Sequence, residues 1–338
     1  MSAINILTIG DPHFKVKNIQ EIDELITELI KVLEDISPDL IVILGDVLDQ
    51  HEKIHVEPLS KVTEMFSKLE KIAPIYSLVG NHDRRNNSDF LTEMHPFTAI
   101  KHWNDNITIV DKVIKSNIKG HNFVFVPYVS PGRFMEALNT IEDPLDNVTA
   151  IFAHQEFFKA KMGAVTSNVG DKWDLTNPLV ISGHIHDYDI LQKNIIYVGT
   201  PIQHAFGDRD DKTISLFKWK SKYDFKEQRI SLNLKRKFLY NINYDDFLKW
   251  KIPNKKGIFK LVISGTTTEI QTIIKLPKTS QLERDKVIIK YKTINNYNPD
   301  KNIPKMDKIS FLESLYSEIT INTLEMTWFK KLFGDKEN

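Results

Sequence analysis

Cysteine is missing from all 338 residues, so the chain forms neither a disulfide nor a thiolate metal site. Any metal must be held by His, Asp, Glu, Asn or backbone oxygen, which favours a harder ion. Long apolar runs are missing as well. No stretch approaches the ~20 residues that cross a bilayer, and the N-terminus lacks a charged segment followed by an apolar core and a small-residue cleavage site. A cytoplasmic location is expected, or a nuclear or viral-factory one if the chain comes from a eukaryotic virus; no membrane partner is expected. Net charge is absent too, since 45 Lys+Arg balance 45 Asp+Glu, but the balance conceals a split. Residues 1–217 carry 20 basic against 31 acidic side chains, a net −11, whereas residues 218–308 carry 22 against 9, a net +13. Such a basic block fits a polyanion such as nucleic acid. A solvated lysine-rich surface accounts for it equally well, so charge alone does not decide.

What is present is ample apolar content, 41% of residues, enough for one large α/β domain and a smaller one. Short β-rich runs recur at 4–10, 40–45, 75–80, 123–128, 150–154, 179–183 and 195–199, mostly closed by glycine or a polar residue, and read as buried strands. Between the first three lie stripes at helical spacing: Ile19, Ile22, Leu25, Ile26, Leu29 and Leu33, then Leu59, Val62, Met65, Phe66, Leu69 and Ile72. Strand–helix–strand alternation predicts an α/β architecture with parallel strands covered by helices. After about residue 220 the texture becomes basic and β-leaning, with a β-α-β pattern over 257–294. Three parts are expected: 1–220, a basic module 221–305, and a short amphipathic helical tail 306–338. No internal repeat or low-complexity segment stands out.

Strand after strand in the first part ends on a potential metal ligand. Asp11 and His13 follow the first, Asp46 and Asp49 the second, Asn81, His82 and Asp83 the third, His154 a later one, and His184 with His186 another. Strand ends of an open α/β sheet line its ligand crevice, so residues spread over some 175 positions would converge on one rim. Each motif alone is weak. D-x-H is commonly a turn beside an unrelated histidine, and G-D-x-x-D is often a helix cap followed by surface charge. All of them in order, each behind an apolar run, make coincidence a poor explanation.

The ordered set "DPH", "GDVLD", "GNHD", "AHQ" and "GHIH" resembles the signature of the calcineurin-like metallophosphoesterases, over residues 4–217. The resemblance implies a four-layer α/β/β/α sandwich and a two-metal site. By position, Asp11, His13, Asp46 and His186 would hold one ion and Asp46, Asn81, His154 and His184 the other, with Asp46 bridging. Mn²⁺ is the expected ion, with Fe or Zn as alternatives. Two cations about 3.5–4 Å apart can neutralise a phosphodiester and clamp attacking and leaving oxygens. The family pattern places His82 over the leaving group as proton donor, and an imidazole suits that role near neutral pH. Asp49 matches a carboxylate expected to orient His82. Arg84 and Arg85 are candidates to grip flanking phosphates. The six remaining histidines, His51, His55, His95, His102, His121 and His204, are assigned structural roles; His51 and His204 are the two whose placement could most easily overturn that.

Within the superfamily, "YVGTPIQHAFGDRDDKTISLF" (197–217) resembles the stretch behind the last metal histidines in SbcD-type DNA double-strand-break repair nucleases and their T-even phage relatives. Thr200 stands where serine is commoner, and Thr213 falls near a usual glycine. The basic β-α-β module resembles that family's DNA-capping domain, and the helical tail resembles the segment that docks on an SMC-like coiled-coil ATPase. This second resemblance implies a Mn²⁺-dependent 3′→5′ exonuclease on duplex ends and endonuclease on single strands, with DNA and the ATPase as partners and a homodimer as the assembly. Lys159, Lys161, Lys235, Arg236 and Lys237 are candidate DNA contacts, with Lys255, Lys256 and Lys260 behind them. The C-terminal region is short for a cellular member and fits a viral or phage-like version. The rivals are a stand-alone phosphodiesterase or phosphatase on a small substrate, and a metal-dead scaffold, against which the complete ligand set speaks.

Overall fold

The structure is a computed structural model that describes residues 2–51, 53–103 and 105–294. The expected helical tail at 306–338 and the end of the basic module at 295–305 lie outside the described residues.

The chain begins β1 (Ile4–Ile9), α1 (Ile19–Ile36), β2 (Leu40–Ile43), α2 (Val56–Leu69), β3 (Ile75–Leu78) and β4 (Ile107–Val110). It continues through β5 (Ile114–Ile118), β6 (His121–Val126), α3 (Phe134–Leu138), β7 (Ala150–His154) and the small hairpin β8 (Lys161–Met162) and β9 (Val165–Thr166). Then come β10 (Leu179–Gly183), β11 (Asp189–Gln192), β12 (Ile195–Tyr197), β13 (Ile214–Ser221) and β14 (Asp224–Ile230). Two six-stranded mixed sheets result, ordered β14-β13-β1-β2-β3-β4 and β11-β12-β10-β7-β6-β5. β1 to β4 run parallel in the first and β12, β10, β7 and β6 in the second, with antiparallel strands at the edges.

Alternation along the strands explains why both faces of each run are apolar. Ile4, Ile6, Leu40 and Val42 point between the sheets, where they meet Phe123, Phe125, Phe152, Ile181 and Trp219. Leu7, Ile9, Ile41 and Ile43 point the other way onto the buried stripes of α1 and α2. On the outer side of the second sheet, Val124, Ile151 and Val180 pack with Phe134 of α3, Phe157 and Trp173. The arrangement is the expected α/β/β/α sandwich, with helices on one side and, on the other, a short helix plus loops. α1 stops at Ser37, whose left-handed backbone (φ 47°) lets its amide donate to the Leu33 carbonyl.

A third, three-stranded sheet is wholly parallel: β15 (Arg236–Asn243), β16 (Gly257–Gly265) and β17 (Ile288–Thr293), linked by α4 (Tyr244–Lys249), then α5 (Thr267–Lys275) and α6 (Pro277–Arg284). Phe247, Phe259, Leu261, Ile263 and Ile273 form its own core. β14 does not belong to it. Residues 224–230 pair with β13 in the first large sheet, so the division expected at 220 falls inside a hairpin, and the change of sheet comes between Ile230 and Arg236. Among the described residues no helix is long and apolar enough to cross a membrane.

Candidate metal centre

The C-terminal ends of the parallel strands deliver the motif residues to one edge. Asp11 and His13 follow β1, Asp46 follows β2, Asn81 and His82 follow β3, His154 closes β7, and His184 and His186 follow β10. The chain turns sharply there. Asp11, His13, Asp46 and His184 all have left-handed backbones, with φ of 24°, 46°, 48° and 78°. Each such non-glycine residue costs about 1–3 kcal/mol, a strain that clusters at functional sites. The glycines of the motifs leave room for the ligands. A Cβ on Gly45, itself at φ 97°, would come within 2.6 Å of Nδ1 of His154, and one on Gly80 within 2.2 Å of Oδ1 of Asp46.

Two groups of donor atoms meet at Asp46. On one side, Nδ1 of His154 donates to the Leu44 carbonyl at 2.7 Å, which leaves Nε2 with its lone pair. That atom lies 3.0 Å from Oδ1 of Asn81, 3.4 Å from Oδ2 of Asp46 and 3.2 Å from Nδ1 of His184. Nδ1 of His184 is also 3.0 Å from Oδ1 of Asn81. On the other side, Nε2 of His13 lies 3.1 Å from Nε2 of His186 and 3.6 Å from the same Oδ2 of Asp46. One carboxylate oxygen therefore stands between both histidine pairs. Asp11 is buried beside them, accepting from the His184 amide with both oxygens, at 2.9 and 3.1 Å, and lying 3.3 Å from His154.

So many acceptors facing one another require positive charge. Burial pulls His154 down, yet Asp46 and Asp11 outweigh it and hold the ring well above the ordinary imidazole value. Burial likewise opposes the Asp46 carboxylate, but His154, His13 and His82 hold it far below the carboxylate range. Protons meet that demand only in part. Divalent cations fit the donor set, nitrogen and oxygen without sulfur, with His154 oriented by a backbone carbonyl as metal-bound histidines commonly are. Asp46, His154 and His184 form one cluster of candidate ligands, His13, Asp46 and His82 a second, and His13, His186 and His204 a third.

His82 sits at the edge of this centre. Its amide donates to Oδ1 of Asp46 at 2.8 Å and its Nδ1 lies 3.1 Å from the Asp49 carbonyl. Because a carbonyl only accepts, Nδ1 carries the hydrogen and Nε2 is left for a substrate. Burial lowers the pKa of His82, with Asp46 opposing and His13 and His51 reinforcing.

Several expectations need correction. The Asp49 carboxylate does not orient His82; it lies 3.2 Å from Nδ1 of His13 and 3.1 Å from Nζ of Lys15, and only its main-chain oxygen faces His82. Arg84 is not offered to a phosphate. It is 1% exposed, stacks over Tyr128, and donates to the Asn86 and Tyr128 carbonyls at 2.9 and 2.8 Å. Arg85 is exposed and pairs with Asp89 at 2.7 Å. Lys159 and Lys161 are exposed. Lys235 pairs with Glu24 of α1, Arg236 donates to the Asp210 carbonyl and to Ser231, and Nζ of Lys237 is 2.8 Å from both Glu21 and the Gln203 carbonyl. These three tie β15 to the large domain.

Other residues gain a place that motif reading did not supply. Asp83 points away from the centre, accepting from the amides of Gly80 (3.0 Å), Val47 (3.2 Å) and Leu48 (2.8 Å), and so clasps two ligand loops together. Burial and the Asp46 charge push its carboxyl up to about 7 against those three bonds. His51 stacks on His82 at 4.8 Å, and His204 packs edge-on against His13 and His186, so neither is merely structural by location. His51 follows two residues after the G-D-x-x-D motif and His204 falls within the 197–217 stretch, the sequence signals that could have found them. His95 and His121 keep the structural roles expected, bonded to Asp111 and to the Ser2 carbonyl.

Comparison with known proteins agrees with this geometry. The family model described as calcineurin-like phosphoesterase matches residues 4–188. Two viral proteins named for the phosphoesterase class are similar over nearly their whole length. One, from Invertebrate iridescent virus 3, is 38% identical over 94% of this chain and 92% of its own; the other, from Invertebrate iridescent virus 6, is 43% identical over 81% and 99%. Among solved structures, GAP50, the anchor in the inner membrane complex of Plasmodium, aligns at a TM-score of 0.41 and 14% identity over 70% of this chain and 91% of that one, too distant a likeness to bear on function. With its strand-end donors gathered around Asp46 and its family model spanning more than half its length, the chain belongs to the calcineurin-like phosphoesterases.

Proposed function

We propose that this phosphoesterase is a metal-dependent DNA nuclease of the SbcD type, cutting duplex ends 3′→5′ and single strands internally, in concert with an SMC-like coiled-coil ATPase. The observation that carries the reading is the course of residues 197–208, the stretch that resembles those nucleases. Tyr197 bonds the Gln155 carbonyl behind His154, Thr200 hydroxyl bonds the Ile202 carbonyl beside the G-H-x-H loop, and His204 bonds the Asp11 carbonyl at 2.9 Å. Gln203 exchanges hydrogen bonds with Lys237 of β15. The segment whose sequence resembles those nucleases thus lies against the centre and bonds to the basic module, which supports the reading.

Asp11, His13, Asp46 and His186 are the proposed holders of one divalent ion and Asp46, Asn81, His154 and His184 of the other, most suitably Mn²⁺, with Fe or Zn as alternatives. Such a pair, when bound, neutralises the phosphodiester and lowers the pKa of a shared water. The chain's own residues do the rest. Asp49 fixes the ring of His13 with its carboxylate and that of His82 with its carbonyl, so His82 in its protonated form has an Nε2–H aimed to give its proton to the departing oxygen, the ring ending neutral with its hydrogen on Nδ1. A homodimer and the ATPase contact belong to the same proposal.

A second reading, a phosphodiesterase or phosphatase on a small phosphoester, is favoured by one observation: Lys235, Arg236 and Lys237 spend their donors on the protein itself. End-labelled duplex and single-stranded DNA with Mn²⁺, with and without an SMC-like ATPase from the same genome, separates the two. Shortening of labelled DNA is expected. Brisk turnover of an aryl phosphate or cyclic nucleotide with both DNAs left intact would overturn the nuclease reading.

A further inference from the structure

We propose that His204 is a third imidazole of the ion site formed by His13 and His186, supplying Nδ1 where the family signature provides only two histidines. The inference rests on the metal-centre reading above but not on DNA being the substrate.

One ring nitrogen each of His13, His186 and His204 lies within 4.8 Å of the others. The His204 ring stands edge-on to both neighbours, at 4.8 Å and 80° to His13 and 5.1 Å and 68° to His186. Its tautomer is fixed by one contact. Nε2 is 2.9 Å from the Asp11 carbonyl, which can only accept, so Nε2 carries the hydrogen and Nδ1 carries a lone pair. Among the described residues that Nδ1 is buried and has no hydrogen-bond partner. A buried acceptor left unsatisfied is costly, and its persistence demands an explanation.

The backbone holds His204 where a ligand would need to be. Its amide and that of Ala205 both donate to Oδ2 of Asp208, at 2.7 and 2.9 Å, and Gln203 beside it is locked to Lys237. The Nε2 bond to the Asp11 carbonyl is the kind of orienting contact that fixes a metal-bound histidine through its other nitrogen. Three imidazoles beside the carboxylates of Asp11 and Asp46 shift a site from magnesium towards the borderline ions, zinc, iron or cobalt.

The test is metal binding by the full-length protein, read by titration with Co²⁺ following its visible absorption and by metal-to-protein ratio after gel filtration. Three variants divide the possibilities. His204→Ala removes the ring. His204→Gln can keep a donor for the Asp11 carbonyl but offers nothing at the Nδ1 position, whereas His204→Asn places an amide oxygen near Nδ1. The wild-type protein is expected to hold two ions per chain. Both Ala and Gln variants are expected to bind one of them at least tenfold more weakly, with an altered absorption band and the other ion retained, and Asn to recover part of the loss. A Gln variant that binds both ions as the wild type does, with an unchanged spectrum, would overturn the inference and leave His204 a positioning residue. A wild-type protein that binds no ion would overturn this inference together with the metal-centre reading, and thermal melting of each variant separates loss of a ligand from loss of the fold.

Discussion

Asp49 and His13 are partners: the carboxylate lies 3.2 Å from Nδ1 of the ring whose Nε2 faces Asp46 and His186. This carboxylate–histidine arrangement is the one that orients metal-bound imidazoles and raises their basicity. Asp49→Ala should therefore weaken the proposed ion at His13 about 10–100-fold, seen as a rightward shift of the divalent-metal dependence of activity and as lower occupancy. Because the Asp49 carbonyl that faces His82 survives the substitution, turnover at saturating Mn²⁺ should fall far less. Equal loss at all Mn²⁺ concentrations would count against this division of labour.

His82 and Asp46 make a contrasting pair of substitutions. His82→Ala leaves every proposed ion ligand in place, keeps the amide that donates to Asp46, and removes the ring whose Nε2 lies at the edge of the centre. Metal occupancy should be kept while cleavage drops by about 10²–10⁴-fold, the usual worth of a positioned proton donor. Asp46→Ala removes the oxygen that stands between both histidine pairs and should lose metal as well as cleavage. Metal analysis beside an assay of phosphoester cleavage checks both.

Much of this centre is legible in the sequence. Apolar runs broken by glycine mark parallel strands, and polar residues just past their ends must share an edge, so the convergence of Asp11, Asp46, Asn81, His154 and His184 follows from topology. What a side chain touches at that edge does not. Asp49 and His82 are close, but only the turn geometry decides that His13 receives the carboxylate. Arg84 reads as a surface phosphate clamp because a guanidinium is polar; burial beside Tyr128, with carbonyls accepting from Nε and Nη1, leaves no mark in the local sequence. β14 alternates charged and half-buried residues and looks like part of the basic module, yet its partner is β13, a choice made by hairpin pairing and not by composition.

Away from the centre, Asp111 carries a stability prediction with a pH sign. It is buried, and burial alone would raise its carboxyl, but His95 at 3.0 Å and Lys101 hold it below the ordinary value. A carboxyl depressed in the folded state contributes stability that is present above its unfolded pKa, near 3.9, and is lost as pH falls through the lower folded value. Asp111→Asn should lower the melting temperature at neutral pH, at a cost of about 3 kcal/mol for breaking a buried pair. The difference from wild type should shrink as pH falls below about 4. A difference that stays constant down to pH 2 would show that the ion pair is not its source.

The basic residues offer the last prediction, and it reverses the emphasis that charge counting gives. Lys235 and Lys237 reach Glu24 and Glu21 on one face of α1, and Lys237 also grips Gln203, so these side chains dock β15 onto the large domain. Arg85, Lys159 and Lys161 are exposed, and among the described residues only Arg85 of the three has a carboxylate partner, at an exposed position where such a pair is worth little. If DNA is the substrate, Ala at Arg85, Lys159 or Lys161 should weaken binding of unrelated sequences alike and reduce the slope of log affinity against log salt by about 1 for each phosphate no longer neutralised. Ala at Lys235 or Lys237 should leave that slope unchanged and instead lower thermal stability or loosen the module, measurable as faster proteolysis between Ile230 and Arg236. A reduced salt slope in the Lys237 variant with its stability intact would return that lysine to the DNA-binding surface.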